Sequence, residues 1–237
     1  MGKQMTNEID PEIPMVDLNN SLTDEERVRF EQQLHEKNIE LALYSGADSL
    51  TRARLELDIA EILIWLERKK EAWDIARAAF DAALKKESWQ DAVEACNVLY
   101  QTGQPESIAA LGMGVWLAVT FPVAAQLTYA MLDHVVSETP DHADGAALAA
   151  ITARYVIDLR ATDEEHGDWS LLANHLIATV AARHSKVEDQ KGLDAWMDKL
   201  GLRDPQVFLP RLSQVVNAIV GDSWWFERDA LRDKLPD

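Results

Sequence analysis

Residues 145–160 read Gly-Ala-Ala-Leu-Ala-Ala-Ile-Thr-Ala-Arg-Tyr-Val-Ile-Asp-Leu-Arg. On a helix, the small and apolar side chains of this stretch occupy nearly every direction around the axis. A helix of this kind has no wide polar side for water, so the stretch predicts a central helix with neighbours on most sides. Arg154 and Asp158 lie four residues apart, and we expect them to pair on one edge of this helix.

Further helix-forming segments lie on both sides of this stretch, separated by short gaps. No convincing alternating strand pattern and no Asn-Gly hairpin occur. The sequence therefore predicts an all-α protein of about ten to eleven helices, arranged as stacked helical hairpins in an α-solenoid-like or irregular helical bundle. The predicted helices cover residues 24–43, 49–66, 71–84, 89–100, 105–119, 122–137, 145–160, 168–183, 185–200, 205–220 and 222–234.

The chain is long enough for one large domain or two small ones. Residues 1–20 are acidic, contain two prolines and show no helical period, which predicts a flexible acidic leader. Residues 21–237 are predicted to form a single helical domain, or two packed halves that divide near residues 138–145.

Several predicted helix ends rest on local signals. Pro105 and Pro122 are predicted in the first turn of their helices, where a missing N–H costs little. The run 185–188, Ser-Lys-Val-Glu, has the spacing of a capping box. Asp204 followed by proline predicts another helix start, and Gly221 predicts the end of that helix.

Two segments of the chain are similar at an offset of 16 residues. Residues 71–79 read Glu-Ala-Trp-Asp-Ile-Ala-Arg-Ala-Ala, and residues 87–95 read Glu-Ser-Trp-Gln-Asp-Ala-Val-Glu-Ala. Glu, Trp and two Ala match, and the offset equals about one helix plus a turn. The match indicates a repeat. The alternative is that two amphipathic helices are similar by chance.

A small–aromatic–small triplet, Ala76, Phe80 and Ala83, resembles the pattern in the second helix of a tetratricopeptide repeat. The resemblance covers about 35 residues around 55–84. Ile64 replaces the small residue expected in the first helix, and no 34-residue period continues. The resemblance implies stacked helical hairpins and a peptide-binding groove of the kind found in that family.

The net charge of −18 comes from 41 acidic and 23 basic residues. Nucleic acids and anionic membranes are bound through clustered Lys and Arg, so this balance predicts neither kind of partner. It favours a protein partner with a basic surface. A solvated acidic surface that serves solubility is the alternative.

The single cysteine, Cys96, lies on an apolar helical face with Ala92, Ala95 and Leu99. These neighbours predict a buried structural thiol rather than a nucleophile, which needs an electropositive and partly exposed setting. No intrachain disulfide is possible, the N-terminus lacks a signal-like apolar stretch, and the apolar run at 115–123 is too short for a bilayer span. We therefore expect a cytoplasmic protein.

The usual catalytic motifs do not occur in the sequence. There is no Walker lysine loop, no Gly-x-Ser-x-Gly elbow and no Ser-x-x-Lys. Gly112 and Gly114 form a Gly-x-Gly without a preceding strand, and we expect them to allow close approach of a neighbouring helix. We predict no catalytic residue and no cofactor, which favours a non-enzymatic role.

Histidines and carboxylates form the candidate metal site. If the connections at 138–144 and 161–167 met at one end of the bundle, a metal could be bound by Glu138, His142, Asp163 and His166. A stack of helices places successive loops at opposite ends. The alternative is therefore that Asp144 caps the next helix and that the other acids are solvated.

Three other histidines have structural interpretations. His175 is predicted at a core or boundary position of an amphipathic helix, and His35 is predicted to face solvent. Arg183 and His184 close the helix that carries His175, where cations complement the helix dipole.

Residues 222–229 read Asp-Ser-Trp-Trp-Phe-Glu-Arg-Asp, within the predicted terminal helix. Neighbours on a helix point about 100° apart, so three consecutive rings cannot all face the body. Exposed tryptophan beside arginine is typical of an interface anchor, and the predicted partner-binding residues are Trp224, Trp225, Phe226 and Arg228. The alternative is a terminal helix held to the core by two rings, with the third flat on the surface.

These observations favour a non-enzymatic protein-interaction scaffold, adaptor or assembly chaperone with an acidic, tryptophan-rich surface. The alternative function is a metal-binding helical protein or metal-dependent enzyme that uses the four ligands named above. A third hypothesis, a bundle that buries an apolar ligand, depends on the small residues of the helices at 105–119 and 145–160, which also suit tight helix packing.

Overall fold

The computed structural model describes residues 22–235, so the predicted leader at residues 1–20 lies outside the described residues. Within residues 22–235 the chain forms eleven helices and no strand, which confirms the all-α prediction and the number of helices. The helices are α1 (Asp24–Leu43), α2 (Ser49–Trp65), α3 (Lys69–Lys85), α4 (Trp89–Gln101), α5 (Ser107–Thr120), α6 (Ala125–Glu138), α7 (Asp144–Arg160), α8 (Asp163–Ser185), α9 (Gln190–Leu200), α10 (Pro205–Val220) and α11 (Arg228–Arg232).

Each of the helices α1 to α8 packs against the next one, as in a stack of helical hairpins. The even-numbered helices α2, α4, α6 and α8 also touch one another in succession, whereas successive odd-numbered helices are spread apart. Helix α10 packs against both α5 and α7 on the odd-numbered side. The stack therefore curves towards its even-numbered helices.

Buried side chains from α1 to α11 form one large hydrophobic cluster, and Ala125, Ile157 and Ala173 form a small second one. Ala76, Phe80 and Ala83 of α3 are wholly buried within the large cluster. A buried phenylalanine stabilises the fold by about 1.5–3 kcal/mol relative to an exposed one, and the two alanines allow the neighbouring helices to come close. Cys96 has no exposed surface, which confirms the predicted buried thiol.

Two glycines of α5 allow close packing, as predicted. A Cβ atom on Gly112 would lie 2.5 Å from Val220 Cγ2, and one on Gly114 would lie 2.4 Å from Met131 Cε. These distances are far below van der Waals contact. The glycines therefore let α10 and α6 approach α5 from two directions.

Arginine side chains of later helices donate hydrogen bonds to carbonyl groups near the carboxyl ends of earlier helices. The Arg160 guanidinium, at the end of α7, donates hydrogen bonds to the carbonyl oxygens of Ala118, Val119 and Val123, at 2.7, 3.1 and 3.1 Å. Arg183, near the end of α8, donates to the carbonyl oxygen of Val136 at 2.6 Å. The last carbonyl groups of a helix have no partner within the helix, so these arginines satisfy groups that would otherwise be left unpaired.

The two prolines predicted inside helices α5 and α6 precede them instead. Pro105 occupies the second position of a turn in which the Ser107 N–H donates to the Gln104 carbonyl oxygen at 2.9 Å. Pro122 lies at the centre of a tighter turn, since the Val123 N–H donates to the Phe121 carbonyl oxygen at 2.8 Å. Proline's fixed φ fits these turns as well as it fits the first turn of a helix. The prediction that both prolines lie in the first turn of a helix was therefore wrong.

The predicted boundaries between α8 and α9 were also wrong. Helix α8 begins at Asp163, five residues earlier than predicted, and ends at Ser185, where Lys186 takes a left-handed conformation with φ of 55°. Ser185 therefore does not open a capping box. Asp189 caps α9 instead, because its carboxylate accepts from the Gly192 N–H at 2.7 Å.

Other local predictions are confirmed. Arg154 Nη1 donates to Asp158 Oδ1 at 2.8 Å. Helix α10 begins after the N-cap Asp204 and ends before Gly221. Asp144, in contrast, does not cap α7: it is the first residue of that helix, and Arg211 Nη2 donates to its Oδ2 at 2.7 Å.

Candidate functional site

The three consecutive aromatic residues lie in a non-helical segment between α10 and α11. The predicted start of the terminal helix at residue 222 was wrong. Gly221 has φ of 57° and ψ of −127°, and the helix, α11, covers only Arg228–Arg232 within the predicted range 222–234. Trp224, Trp225 and Phe226 are each partly buried against the core cluster. Because this segment is not helical, neighbouring side chains need not point about 100° apart, and all three rings can face the core.

These rings pack across two helices of the odd-numbered side. The Trp225 ring lies edge-on to the rings of Trp73 and Phe80 on α3, at 6.0 and 5.4 Å between centroids. The rings of Trp224 and Phe226 lie 6.1 and 5.4 Å from that of Trp116 on α5. Edge-to-face and tilted pairs of this kind add about 0.5–1.5 kcal/mol each to burial. We call residues 222–235 the C-terminal strap.

Arginines cover the outer faces of the same rings. The Arg228 guanidinium carbon lies 4.1 Å from the Trp224 centroid, and that of Arg77 lies 4.1 Å from the Trp225 centroid. The four predicted partner-binding residues therefore make contacts within the chain, where they hold α3 and α5 together. Whether they also contact a partner stays a prediction.

The strap and α10 lie over the odd-numbered helices, so they do not cover the opposite side of the stack. Among the described helices, α9, α10 and α11 do not pack extensively against α2, α4 or α6. We call the outer side of α2, α4 and α6 the even face. Its central side chains are Glu61 on α2, Glu94 and Asn97 on α4, and Asp133 and His134 on α6.

The three carboxyl groups of the even face have raised pKa values. Glu61 is reached by solvent, but the surrounding helices displace part of its water, and this desolvation, with the charges of Asp58 and Glu94, raises its pKa to about 7. Desolvation is also the largest cause of the raised pKa of Glu94, and the sole cause of the raised pKa of Asp133. A cation placed among these groups would stabilise their ionised forms.

Within residues 22–235, none of these three carboxylates forms a salt bridge. Neighbouring acids do have cationic partners: Lys37 Nζ lies 2.7 Å from Asp58 Oδ2, and Arg54 Nε lies 2.8 Å from Asp91 Oδ1. The three carboxyl groups of the even face therefore lack the salt-bridge partners that Asp58 and Asp91 have.

His134 does not supply a positive charge to this surface. Its Nε2 lies within hydrogen-bond distance of Asn97 Oδ1, at 3.0 Å, and its ring lies 4.5 Å from that of Tyr100. Burial lowers the pKa of His134 to about 4, against a smaller opposite effect of Glu138. The imidazole is therefore neutral at pH 7, and it holds α4 and α6 in register through a neutral hydrogen bond.

The four candidate metal ligands are not brought together. Glu138 Oε1 accepts from Tyr100 Oη at 2.7 Å, His142 Nδ1 lies 3.4 Å from the His184 carbonyl oxygen, and His166 Nε2 lies 2.9 Å from Asp158 Oδ1. Asp163 begins α8, so the segment predicted as a loop is the first turn of that helix. Over the described part of the chain, no three His, Cys, Asp or Glu side chains form a group that could hold a metal ion.

Cys96 and the other histidines add no reactive group. Burial raises the pKa of the Cys96 thiol well above its usual range, so the thiol stays protonated at neutral pH. His35 is exposed, as predicted. His175 is also exposed, so its predicted core or boundary position was wrong, because the buried side of α8 runs through Ala173, Leu176, Ile177, Val180 and Ala181.

No protein-family model, curated protein or solved structure matches the chain. None of the described helices is both long and apolar enough to span a membrane. The fold and the even face thus define a curved stack of α-helical hairpins, strapped on one side by its own C-terminal segment and acidic on the other.

Proposed function

We propose that the protein is a non-enzymatic binding scaffold, an adaptor or assembly chaperone of the cytoplasm, whose even face takes a basic segment of a protein partner. The observation that carries this proposal is the set of three desolvated carboxylates, Glu61, Glu94 and Asp133, without salt bridges among the described side chains. Lys or Arg side chains of a partner would supply the missing countercharge.

The architecture supports the same surface. The strap and α10 occupy the odd-numbered side, which leaves the curved even-numbered side for an extended segment. Curved stacks of helical hairpins offer broad surfaces of this kind. The net charge of −18 would also speed the approach of a basic partner and slow that of nucleic acid.

A peptide selection tests the proposal. We expect random peptides displayed on phage and selected against the full chain to become enriched in Lys and Arg. Replacing the three carboxylates together (Glu61→Gln, Glu94→Gln and Asp133→Asn) should weaken binding of the selected peptides by roughly tenfold or more, since each lost pair is worth up to about 1 kcal/mol.

The matched control removes the same charge from the strap: Asp222→Asn, Glu227→Gln and Asp229→Asn. All three of these side chains are exposed. Because salt screens charges beyond about 8–10 Å, this variant should bind the selected peptides nearly as well as the wild type. Equal weakening by both variants, or selected peptides without basic residues, would rule out the even face as the site.

A further inference from the structure

Helix α8 closes the stack of hairpins and leaves one long side uncovered. It packs against α7 and α6 on one side and touches α9 near its carboxyl end. On the opposite side, Leu171 is 70% exposed and Leu172 is 47% exposed. The end of a helical stack ordinarily carries a polar outer surface that keeps it soluble, so exposed leucines here are unusual.

This side of α8 is also free of charge. Residues 169–182 contain no Asp, Glu, Lys or Arg, in a chain in which 27% of the residues are charged. Leu171, His175, Ala178 and Ala182 are all exposed and are spaced by four, three and four residues. That spacing places them in one line on the helix surface, as at the seam of a coiled coil.

The seam is complementary to itself when two copies of α8 run antiparallel. In the symmetric register, Leu171 of one copy faces Ala182 of the other, and His175 faces Ala178. Each large side chain thus meets a small one, and the two helices can pack closely. A two-fold axis between residues 176 and 177 relates both pairs, as an isologous interface requires.

Charge at the two ends of the seam fits the same arrangement. Asp168 directly precedes the uncharged stretch and is exposed. Arg183 follows the stretch but is partly buried and donates to the Val136 carbonyl oxygen, so the first exposed cation after it is Lys186. In the antiparallel register, Asp168 of each copy faces Ser185 of the other, next to Lys186, the residue that follows the helix. The parallel arrangement would place like charges together, so it is disfavoured.

We infer that two copies of this chain associate through their α8 helices, as an antiparallel pair centred on residues 175–178. This inference is independent of the binding role of the even face, because the seam lies at the end of the stack. Each molecule carries a net charge of −18, and an uncharged stripe is the surface across which two such molecules repel each other least.

Sedimentation equilibrium of the full chain tests the association. A single helix pair is a small interface, so we expect a concentration-dependent dimer with a dissociation constant in the micromolar range. Leu171→Glu should raise that constant by roughly tenfold or more, whereas Leu43→Glu, at a position on α1 that is 77% exposed, should not change it. A monomer up to about 200 µM, or a dimer insensitive to Leu171→Glu, would overturn the inference.

Cross-linking tests the register without relying on a disruptive variant. Chains with His175→Cys, mixed with chains with Ala178→Cys, should form intermolecular disulfides roughly ten times faster than a mixture of His175→Cys with Ala182→Cys, because disulfides need Cβ atoms about 3.5–4.5 Å apart. Cys96 is buried and does not compete. Equal rates in the two mixtures would contradict the proposed register.

Discussion

Arg160 stabilises the stack at the scale of a single side chain. It donates hydrogen bonds to two carbonyl groups at the end of α5, those of Ala118 and Val119, and to that of Val123 in the segment that follows α5. Burial lowers the pKa of its guanidinium, yet arginine stays charged at any physiological pH. We expect Arg160→Met to lower the free energy of unfolding by about 2–4 kcal/mol, because it leaves several carbonyl groups without partners.

Urea denaturation measures this loss, with Arg154→Met as the control. Arg154 pairs with Asp158 near the surface, and such pairs contribute about 0–1 kcal/mol. Similar losses of unfolding free energy in the two variants would show that the carbonyl contacts of Arg160 stabilise the fold no more than the surface ion pair of Arg154.

The pKa of Glu61 predicts a stability that depends on pH. The folded-state pKa of about 7 lies above the ordinary value of 4.5, so ionised Glu61 disfavours the folded state. The cost is absent below pH 4.5 and complete above pH 7. Glu61→Gln should therefore leave stability unchanged near pH 4.5 and raise it near pH 8, by about 0.5–1 kcal/mol, because solvent screens an exposed carboxylate.

Thermal unfolding at the two pH values gives the comparison. Glu31→Gln, at an exposed position in the middle of α1, is the control and should show no such pH-dependent gain. A variant of Glu61 that is equally stable or less stable at pH 8 would mean that its carboxylate is not desolvated in the folded protein.

At the scale of elements, the C-terminal strap acts as a clamp between α3 and α5. Trp225→Ala removes the ring that lies against Trp73, Phe80 and the Arg77 guanidinium. We expect a loss of about 2–4 kcal/mol in the free energy of unfolding, measured by chemical denaturation. Val28→Ala, at a position that is 68% exposed, should change it by less than about 0.5 kcal/mol. If Trp225→Ala were equally harmless, the ring would be available for a partner instead.

The helices could largely be predicted from the sequence, because their signals are local. Apolar periodicity, Asp204 and Gly221 lie within or next to the elements that they define. The strap could not be predicted, since its structure depends on contacts such as that between Trp225 and Trp73, which are far apart in the chain. Three aromatic residues in a row gave no sign that the segment after Gly221 would stay non-helical as far as Arg228 and let all three rings reach the core.

At the scale of the whole molecule, the site depends on which side of the stack stays open. Glu61, Glu94 and Asp133 lie on three different helices, and no sequence spacing relates them. The acidic composition predicted a basic partner, whereas the even face emerges from the stacking of alternate helices. The candidate metal ligands are the opposite case. They lie near one another in the sequence, but the fold does not bring their side chains together.

We propose that a basic segment of a partner binds along the even-numbered helices. Hydrogen–deuterium exchange of the full chain, with and without a selected Lys- and Arg-rich peptide, tests it most directly. We expect added protection in α2, α4 and α6, with the odd-numbered α3 and α5 and the strap unchanged. Protection confined to α3, α5 and the strap, or the same protection in the variant that lacks the three carboxylates, would contradict it.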